Sequence, residues 1–197
     1  MAVSTTTIFV DGENLSCRYH EMVKSGRTPK TSNITIGDFF VWNHSIINSH
    51  LWDTKRLNYY TSCAGDDLLI QEVRRKIAEI EYSFVYSESY VAVGEVHSHK
   101  SNGRIVPIVK KRKKKSVKES ICDIAISVDV MRACYRDHSA YMWIISGDGD
   151  FLPLVHEVMH SGKQISVGAL SSGLNPEMSI APDDFMLLDD HFFEPEI

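Results

Sequence analysis

The sequence lacks any apolar run approaching the roughly 18 residues that a membrane-spanning helix needs, although 43% of its 197 residues are hydrophobic. Its first segment, MAVSTTTIFV, has neither a basic region nor a cleavable apolar stretch, so we expect no secretory signal. Its four cysteines form no CxxC pair, and we expect reduced thiols in a cytoplasmic protein. No GxGxxG follows the first predicted strand, which argues against a dinucleotide-binding protein.

Basic residues are also scarce, since 21 Lys and Arg face 26 Asp and Glu and the net charge is -5. Their distribution matters more than their number. The segment 110–118, KKRKKKSVK, holds seven of them and no acid, which leaves 14 basic residues in the rest of the chain. An acidic body with one concentrated basic segment is typical of a protein that binds a polyanion.

The chain alternates short apolar segments with helical patterns, which predicts a three-layer α/β fold with a mainly parallel central sheet. We expect one domain over residues 1–197. An antiparallel hairpin turning at Asn102-Gly103 is expected inside an insertion at about 84–116. The predicted strands are 5–10, 55–61, 82–93, 104–109, 141–146, 164–170 and 185–188, and the predicted helices are 14–23, 36–49, 66–81, 117–136 and 151–161.

Acidic residues follow two of the predicted strands directly. Asp11 ends the segment IFVDGEN, and Asp148 and Asp150 follow the strand in WIISGDGDF. Asp11 could be only a helix N-cap, and Asp150 could cap the next helix, which would leave Asp148 without a structural role. The carboxyl ends of parallel strands share one crevice, and carboxylates gathered there favour a hard divalent cation. The pattern therefore predicts a metal site.

A further acid, Asp123, lies in the apolar helix 117–136, where an unpaired buried charge would cost several kcal/mol. Glu119 lies one turn earlier on the same side and adds negative charge, which favours a cation as the partner. Asp129 lies about 120° away by helical geometry and is expected to form a structural pair. The buried face of this helix is predicted to comprise Ile121, Ile124, Val128 and Met131, widened by Ile126 and Val130.

These motifs together resemble the NYN branch of the PIN-like nucleases. The resemblance rests on IFVDGEN, an E-x3-D-x5-D helix, SGDGDF and the closing APDDFMLL, and it runs across nearly the whole chain. It implies a PIN-like α/β/α sandwich that binds Mg²⁺ or Mn²⁺ and cleaves RNA. The acidic site, catalytic and metal-binding, would comprise Asp11, Asp123, Asp148 and Asp150, supported by Asn14, Glu119, Ser146 and Asp183.

The chain differs from the family pattern at one position, since the family often has a lysine where this chain has Ser120. Lys118 is then the neighbouring candidate for the phosphate contact. The basic run is expected to bind RNA phosphates through Lys110, Lys111, Arg112, Lys113, Lys114, Lys115 and Lys118. A solvated loop and a nuclear localisation signal are the alternatives for this run.

The predicted function is therefore that of a metal-dependent ribonuclease, endonucleolytic on single-stranded or structured RNA. Bound cations would lower the pKa of a water that attacks the phosphate in line. Two other functions stay open: a non-catalytic RNA-binding module of the same fold, and a phosphatase of the haloacid-dehalogenase type. The latter needs a second Asp two residues after the first, where this chain has Glu13. Cleavage of DNA and a homodimeric state are also left open.

Overall fold

The structure is a computed structural model that describes residues 5–48, 53–90, 95–112, 121–136 and 141–195. Seven of its strands form one sheet in the order β5-β6-β4-β1-β7-β8-β9, and β2 and β3 form a separate hairpin. All neighbours in the large sheet are parallel except β5 and β6, which confirms the predicted mainly parallel sheet. The strands are β1 (Thr5–Asp11), β2 (Ile34–Ile36), β3 (Phe40–Trp42), β4 (Asp53–Cys63), β5 (Glu81–Tyr90), β6 (Glu95–Lys111), β7 (Tyr141–Ile145), β8 (Gln164–Ala169) and β9 (Asp184–Leu187).

Helices cover both faces of this sheet, as the three-layer prediction requires. On β1, successive side chains point to opposite faces, so Ile8 and Val10 enter one core while Phe9 enters the other. The first core also holds residues of α1 and α3, and the second holds residues of α4 and α5. The helices are α1 (Gly12–Lys24), α2 (Ser45–Asn48), α3 (Asp67–Ala78), α4 (Ile121–Arg136), α5 (Leu152–His160) and α6 (Asp189–Phe192).

The predicted helix 36–49 is wrong over most of its length. The chain forms the β2–β3 hairpin there, and only Ser45–Asn48 is helical. Gly37 has a φ of +50°, a left-handed conformation that suits a tight turn and disfavours a helix. The backbone of β3 is fixed from the large sheet, because Val41 N donates to the Tyr59 hydroxyl at 3.1 Å. Three consecutive buried apolar residues in β3 do not distinguish a strand from a buried helix by periodicity.

The predicted hairpin between residues 82 and 109 exists, but its turn is not at Asn102-Gly103. Asn102 and Gly103 lie within β6, opposite Ser83 and Tyr82 of β5. The two strands join through 91–94, which lie outside the described residues. β6 also pairs in parallel with β4 from Ile105 onward, so it belongs to the central sheet and extends it.

The buried face of α4 also differs from the predicted one. Ile121, Ile124 and Val128 are 41%, 64% and 49% exposed. The side chains that enter the core lie on roughly the opposite face of the helix, and they are Cys122, Ile126, Val130, Ala133 and Cys134. The prediction is therefore confirmed for Ile126 and Val130 and wrong for Ile121, Ile124 and Val128.

All four cysteines are free, as the sequence predicted. Among the described residues, no helix is long and apolar enough to span a membrane.

Candidate acidic site

Asp11 lies at the carboxyl end of the central strand β1 and is 2% exposed. Its two carboxylate oxygens have different partners. Oδ1 accepts from the backbone N–H of Asn14 at 3.1 Å, which makes Asp11 the N-cap of α1, and Oδ2 accepts from Ser146 Oγ at 2.9 Å. The N-cap role that the sequence left open therefore holds, and it occupies only one of the two oxygens.

The loop after β7 is attached to this carboxylate through two side chains. Ser146 Oγ, which donates to Asp11, also accepts from the backbone N–H of Asp148 at 3.2 Å. Asn14 Oδ1 accepts from the backbone N–H of Gly147 at 3.3 Å. Since β1 and β7 are parallel neighbours, the start of α1 and the loop after β7 meet at one edge of the sheet. Asn14 and Ser146 thus hold the site together.

Asp148 has a structural role that the sequence interpretation denied it. Its Oδ1 accepts from the backbone N–H of Asp150 at 3.1 Å, so Asp148 caps the short 3₁₀ helix Gly149–Phe151. The predicted cap by Asp150 is wrong, because α5 begins after Phe151 with no side-chain cap. Asp150 is exposed, whereas Asp148 is half-buried.

Two further carboxylates act electrostatically on Asp11. The pKa of Asp11 is raised to about 7, mainly by burial. The hydrogen bonds from Asn14 and Ser146 lower this pKa, and the charges of Asp123 and Glu13 make smaller contributions that raise it. Cys122 lies among the same groups, because its pKa is raised by burial and then by Glu13, Asp11 and Asp123. The first turn of α4 therefore brings Asp123 to the edge where Asp11 lies.

The chemistry of this site suits a hard cation. Apart from Cys122, the titratable neighbours of the buried Asp11 carboxylate are the carboxylates of Glu13 and Asp123, and hard cations prefer oxygen ligands. Burial is the main cause of the raised pKa of Asp11, and the charges of Asp123 and Glu13 contribute less. Within the described ranges, however, no three His, Cys, Asp or Glu side chains converge closely enough to hold a metal ion. The described residues supply the ligand type but not a complete coordination set.

Other predicted residues lie elsewhere or outside the described ranges. Asp183 precedes β9, at the opposite edge of the parallel sheet, where its Oδ2 accepts from the backbone N–H of Ile165 at 2.9 Å. It is not brought to the acidic site. Glu119, Lys118 and Lys113–Lys115 lie outside the described residues, so their roles stay predictions. Asp129 forms the expected structural pair, accepting from the Tyr60 hydroxyl at 2.9 Å.

The described part of the basic run has three different environments. Lys110 lies beside α4 in a shallow cavity that Ile121 and Ile124 also line. Lys111 is exposed and pairs with Asp67 at 2.7 Å. Arg112 turns toward Glu13, with 4.0 Å between Nη1 and Oε1. Only part of the run is therefore directed at the acidic edge.

Glu13 is the site residue that the sequence interpretation missed. Its carboxylate accepts a hydrogen bond from Ser62 Oγ at the end of β4. The sequence does place Glu13 two residues after Asp11, but this position served only as an argument against a phosphatase. Arg18, one turn further along α1, was also missed. Its hydrogen bond to Glu21 is the main cause that raises its pKa, and the nearby charge of Asp148 adds a smaller contribution.

One protein family matches most of the chain. The profile of the NYN domain matches residues 50–192. This range is well over half of the chain, and the protein belongs to the NYN domain family. Asp11 and Asn14 precede the matched range, whereas Asp123, Asp148 and Asp150 fall within it.

The fold has a counterpart among solved structures. A protein of unknown function from Vibrio parahaemolyticus aligns with a TM-score of 0.61 at 15% sequence identity, over 98% of this chain and 97% of that one. Likeness at this identity shows the fold alone. No curated protein matches the sequence.

Proposed function

We propose that the protein is a metal-dependent ribonuclease whose reaction takes place at the edge formed by Asp11, Asp123 and Asp148. The observation that carries the proposal is the buried Asp11 carboxylate, whose pKa is raised to about 7 by burial and by acidic neighbours. Burying a carboxylate among others is costly for stability, and a cation that offsets the charge gives such an arrangement a function. Membership of the NYN family supports a nuclease.

Asp11, Asp123 and Asp148 would contribute ligands to the Mg²⁺ or Mn²⁺. Asp150 and Glu119 are further candidate ligands, because the described acids do not form a complete coordination set. When bound, the cation would offset the charge of the scissile phosphate and lower the pKa of a water. The residues of the chain fix the geometry. Ser146 Oγ donates to Asp11 Oδ2 and so orients the Asp11 carboxylate. Asn14 Oδ1 accepts from the backbone N–H of Gly147 and so fixes the loop after β7.

The chain itself also provides positive charge near this edge. Arg18 pairs with Glu21 at 2.8 Å and lies near enough to Asp148 for their charges to interact. Arg112 lies on the other side, near Glu13. The guanidinium group of Arg18 is suited to hold a phosphate beside the bond that is cut.

The experiment that tests the proposal is cleavage of end-labelled single-stranded and hairpin RNA with Mn²⁺, Mg²⁺ or EDTA. Asp123→Asn is compared with the native chain, and Asp184→Asn, which changes an exposed acid on β9, is the matched control. We expect metal-dependent internal cleavage by the native chain and the control, and a loss of at least about 100-fold with Asp123→Asn. Equal cleavage by Asp123→Asn, with contaminating nuclease excluded, would refute the assignment.

A non-catalytic RNA-binding module is the second candidate, and one observation favours it. The described acids do not form a complete coordination set. If RNA is retained on the protein while no metal supports cleavage, this second function replaces the first. Binding that survives Asp123→Asn unchanged would distinguish it from a catalytic site that is merely slow.

A further inference from the structure

A second cavity adjoins the acidic edge on the side of α1. It has a volume of about 340 Å³ and lies between α1, the end of β4, and the turn that joins β2 to β3. This volume is within the range of small-molecule sites, which begins at roughly 300 Å³. The side chains that matter for its chemistry are Glu13, His20, Asp38, Phe39, Ser62 and Arg112.

Two polar atoms at this cavity are buried and lack a hydrogen-bond partner among the described residues. They are Nε of Arg112 and Nε2 of His20. Arg112 is held in place by its backbone N–H, which donates to Cys63 O at 3.0 Å, and its side chain is only 24% exposed. His20 Nε2 lies 3.9 Å from Asp38 Oδ1, too far for a hydrogen bond. Buried polar atoms without partners are costly, so both side chains can gain from a ligand that brings hydrogen-bonding groups to them.

Acceptors face the same space. Asp38 is 77% exposed and presents its carboxylate at the mouth, while Glu13 contributes a second carboxylate that Ser62 orients. Phe39 adds an aromatic ring, and its backbone is fixed because Phe39 O accepts from Thr61 Oγ1 at 2.8 Å. The cavity therefore combines a guanidinium, an imidazole, two carboxylates and a ring.

Glu13 connects this cavity to the acidic edge. Its charge acts on the pKa of Asp11, and its carboxylate lines the cavity. A chain of RNA with its scissile phosphate at Asp11 would thus have one neighbouring nucleotide at the mouth of the cavity. Single-stranded RNA is recognised by bases splayed out of the stack, held on aromatic side chains and hydrogen-bonded along their edges.

We propose that this cavity binds one unstacked base of the RNA next to the scissile phosphate, and that the base is guanine. Guanine offers two adjacent acceptors, O6 and N7, which suit the fork of Arg112. Its imino and amino groups are two adjacent donors, which suit the carboxylate of Asp38 or Glu13. Uracil and adenine lack both of these pairs, and cytosine lacks the pair of donors. The inference rests on the proposed function for the identity of the substrate, but binding does not depend on cleavage.

The test measures binding in EDTA, where metal-dependent cleavage cannot occur. Fluorescence anisotropy is recorded with labelled nine-nucleotide RNAs that are all uridine or carry one central guanine, adenine or cytosine. We expect the single guanine to raise affinity by about tenfold over the all-uridine RNA, near the low end of what one bidentate base contact gives. Adenine and cytosine are expected to change it by less than about threefold.

Two variants attribute the preference to the cavity. Asp38→Asn removes an acceptor at an exposed position, and Arg112→Lys keeps the charge while removing the planar fork. Each should reduce the guanine preference to below about threefold. Asp38→Asn should also leave the affinity for all-uridine RNA within about twofold. Asp184→Asn is the control and should retain the full preference.

The outcomes separate the two proposals. A guanine preference that the variants abolish, in a chain that cleaves nothing with any metal, supports the cavity and refutes the nuclease. Metal-dependent cleavage without a guanine preference, or with one that both variants leave intact, refutes the cavity and supports the nuclease. A uniform loss of affinity for every RNA in both variants would also overturn the base assignment, since it indicates phosphate contact alone.

Discussion

Replacing Asp11 by Asn is expected to stabilise the metal-free protein at neutral and alkaline pH. The side chain is 2% exposed, and its pKa in the folded protein is about 7, against an ordinary value of 3.8. The folded protein therefore binds this proton more tightly than the unfolded chain does. As the pH rises from about 4 to about 7, the unfolded chain loses the proton first, and the free energy of unfolding falls.

The size of the effect follows from the two pKa values. Each pKa unit corresponds to about 1.36 kcal/mol, so the full difference of roughly three units destabilises the native chain by about 4 kcal/mol above pH 7. The Asn side chain keeps an acceptor for the Asn14 N–H and carries no charge. We expect Asp11→Asn to be more stable than the native chain by about 2 to 4 kcal/mol at pH 8 and nearly equal to it at pH 4.

Urea unfolding in EDTA at pH 4, 6 and 8 measures this difference, with Asp189→Asn as a matched control. Asp189 is also buried, but its carboxylate accepts from both Ser171 N and Ser171 Oγ and pairs with Arg27, so its replacement should destabilise the protein. Addition of Mn²⁺ should stabilise the native chain by about 2.7 kcal/mol at 100 times the dissociation constant, and should leave Asp11→Asn unchanged. An Asp11→Asn variant that is equally destabilised at pH 4 and pH 8 would refute the reasoning.

Three further predictions concern packing and charge. Ile126→Ala should lower the free energy of unfolding in urea by about 2 to 5 kcal/mol, because Ile126 is fully buried, and Ile124→Ala should lower it by less than about 0.5, because Ile124 is 64% exposed. Similar losses in the two variants would contradict the observed buried face of α4. Gly12→Ala should cost about 1 to 3 kcal/mol by the same measurement, since its Cβ would lie 2.1 Å from Tyr59 Cε1, and a neutral result would show that the start of α1 can shift. Reversing the charges of Lys110–Lys115 should raise the KM for RNA and flatten its dependence on salt, whereas reversal at Arg75 and Lys76 of α3 should not; no change in either quantity would place the run outside the RNA path.

The parts of the fold that the sequence predicts best are those in which local pattern and tertiary environment agree. The segment around Ile8 is apolar, β-branched and bounded by a Gly/Asp turn, and it forms the central strand. The segment around Trp42 is equally apolar, but its conformation is decided by the turn at Gly37 and by a hydroxyl from β4, which no local pattern reveals. For α4 both faces are apolar, so the sequence pattern alone does not decide between burial of Ile124 and burial of Ile126.

The site shows the same division. Asp11 and Asp148 were predicted because each follows a strand, and the ends of strands can be recognised in a sequence. In a parallel sheet these ends share one edge. The hydrogen-bond partners of the Asp11 carboxylate oxygens could not be predicted from the sequence. The contact of Asp11 with Ser146, for example, joins residues 135 positions apart. Glu13 was missed for a related reason, as its relevance depends on β4 placing Ser62 beside it.

The position of β1 between β4 and β7 has a consequence for how the protein forms during synthesis. β1 leaves the ribosome before both of the strands that flank it, and one of these begins only at Tyr141. Contacts this distant in the chain are slow to form, and the early strand is exposed until its neighbour arrives. The edge that unites Asp11 with Ser146 therefore exists only after most of the chain has been translated. In the proposed nuclease, a nascent chain that already carries the basic run would therefore have no assembled acidic site.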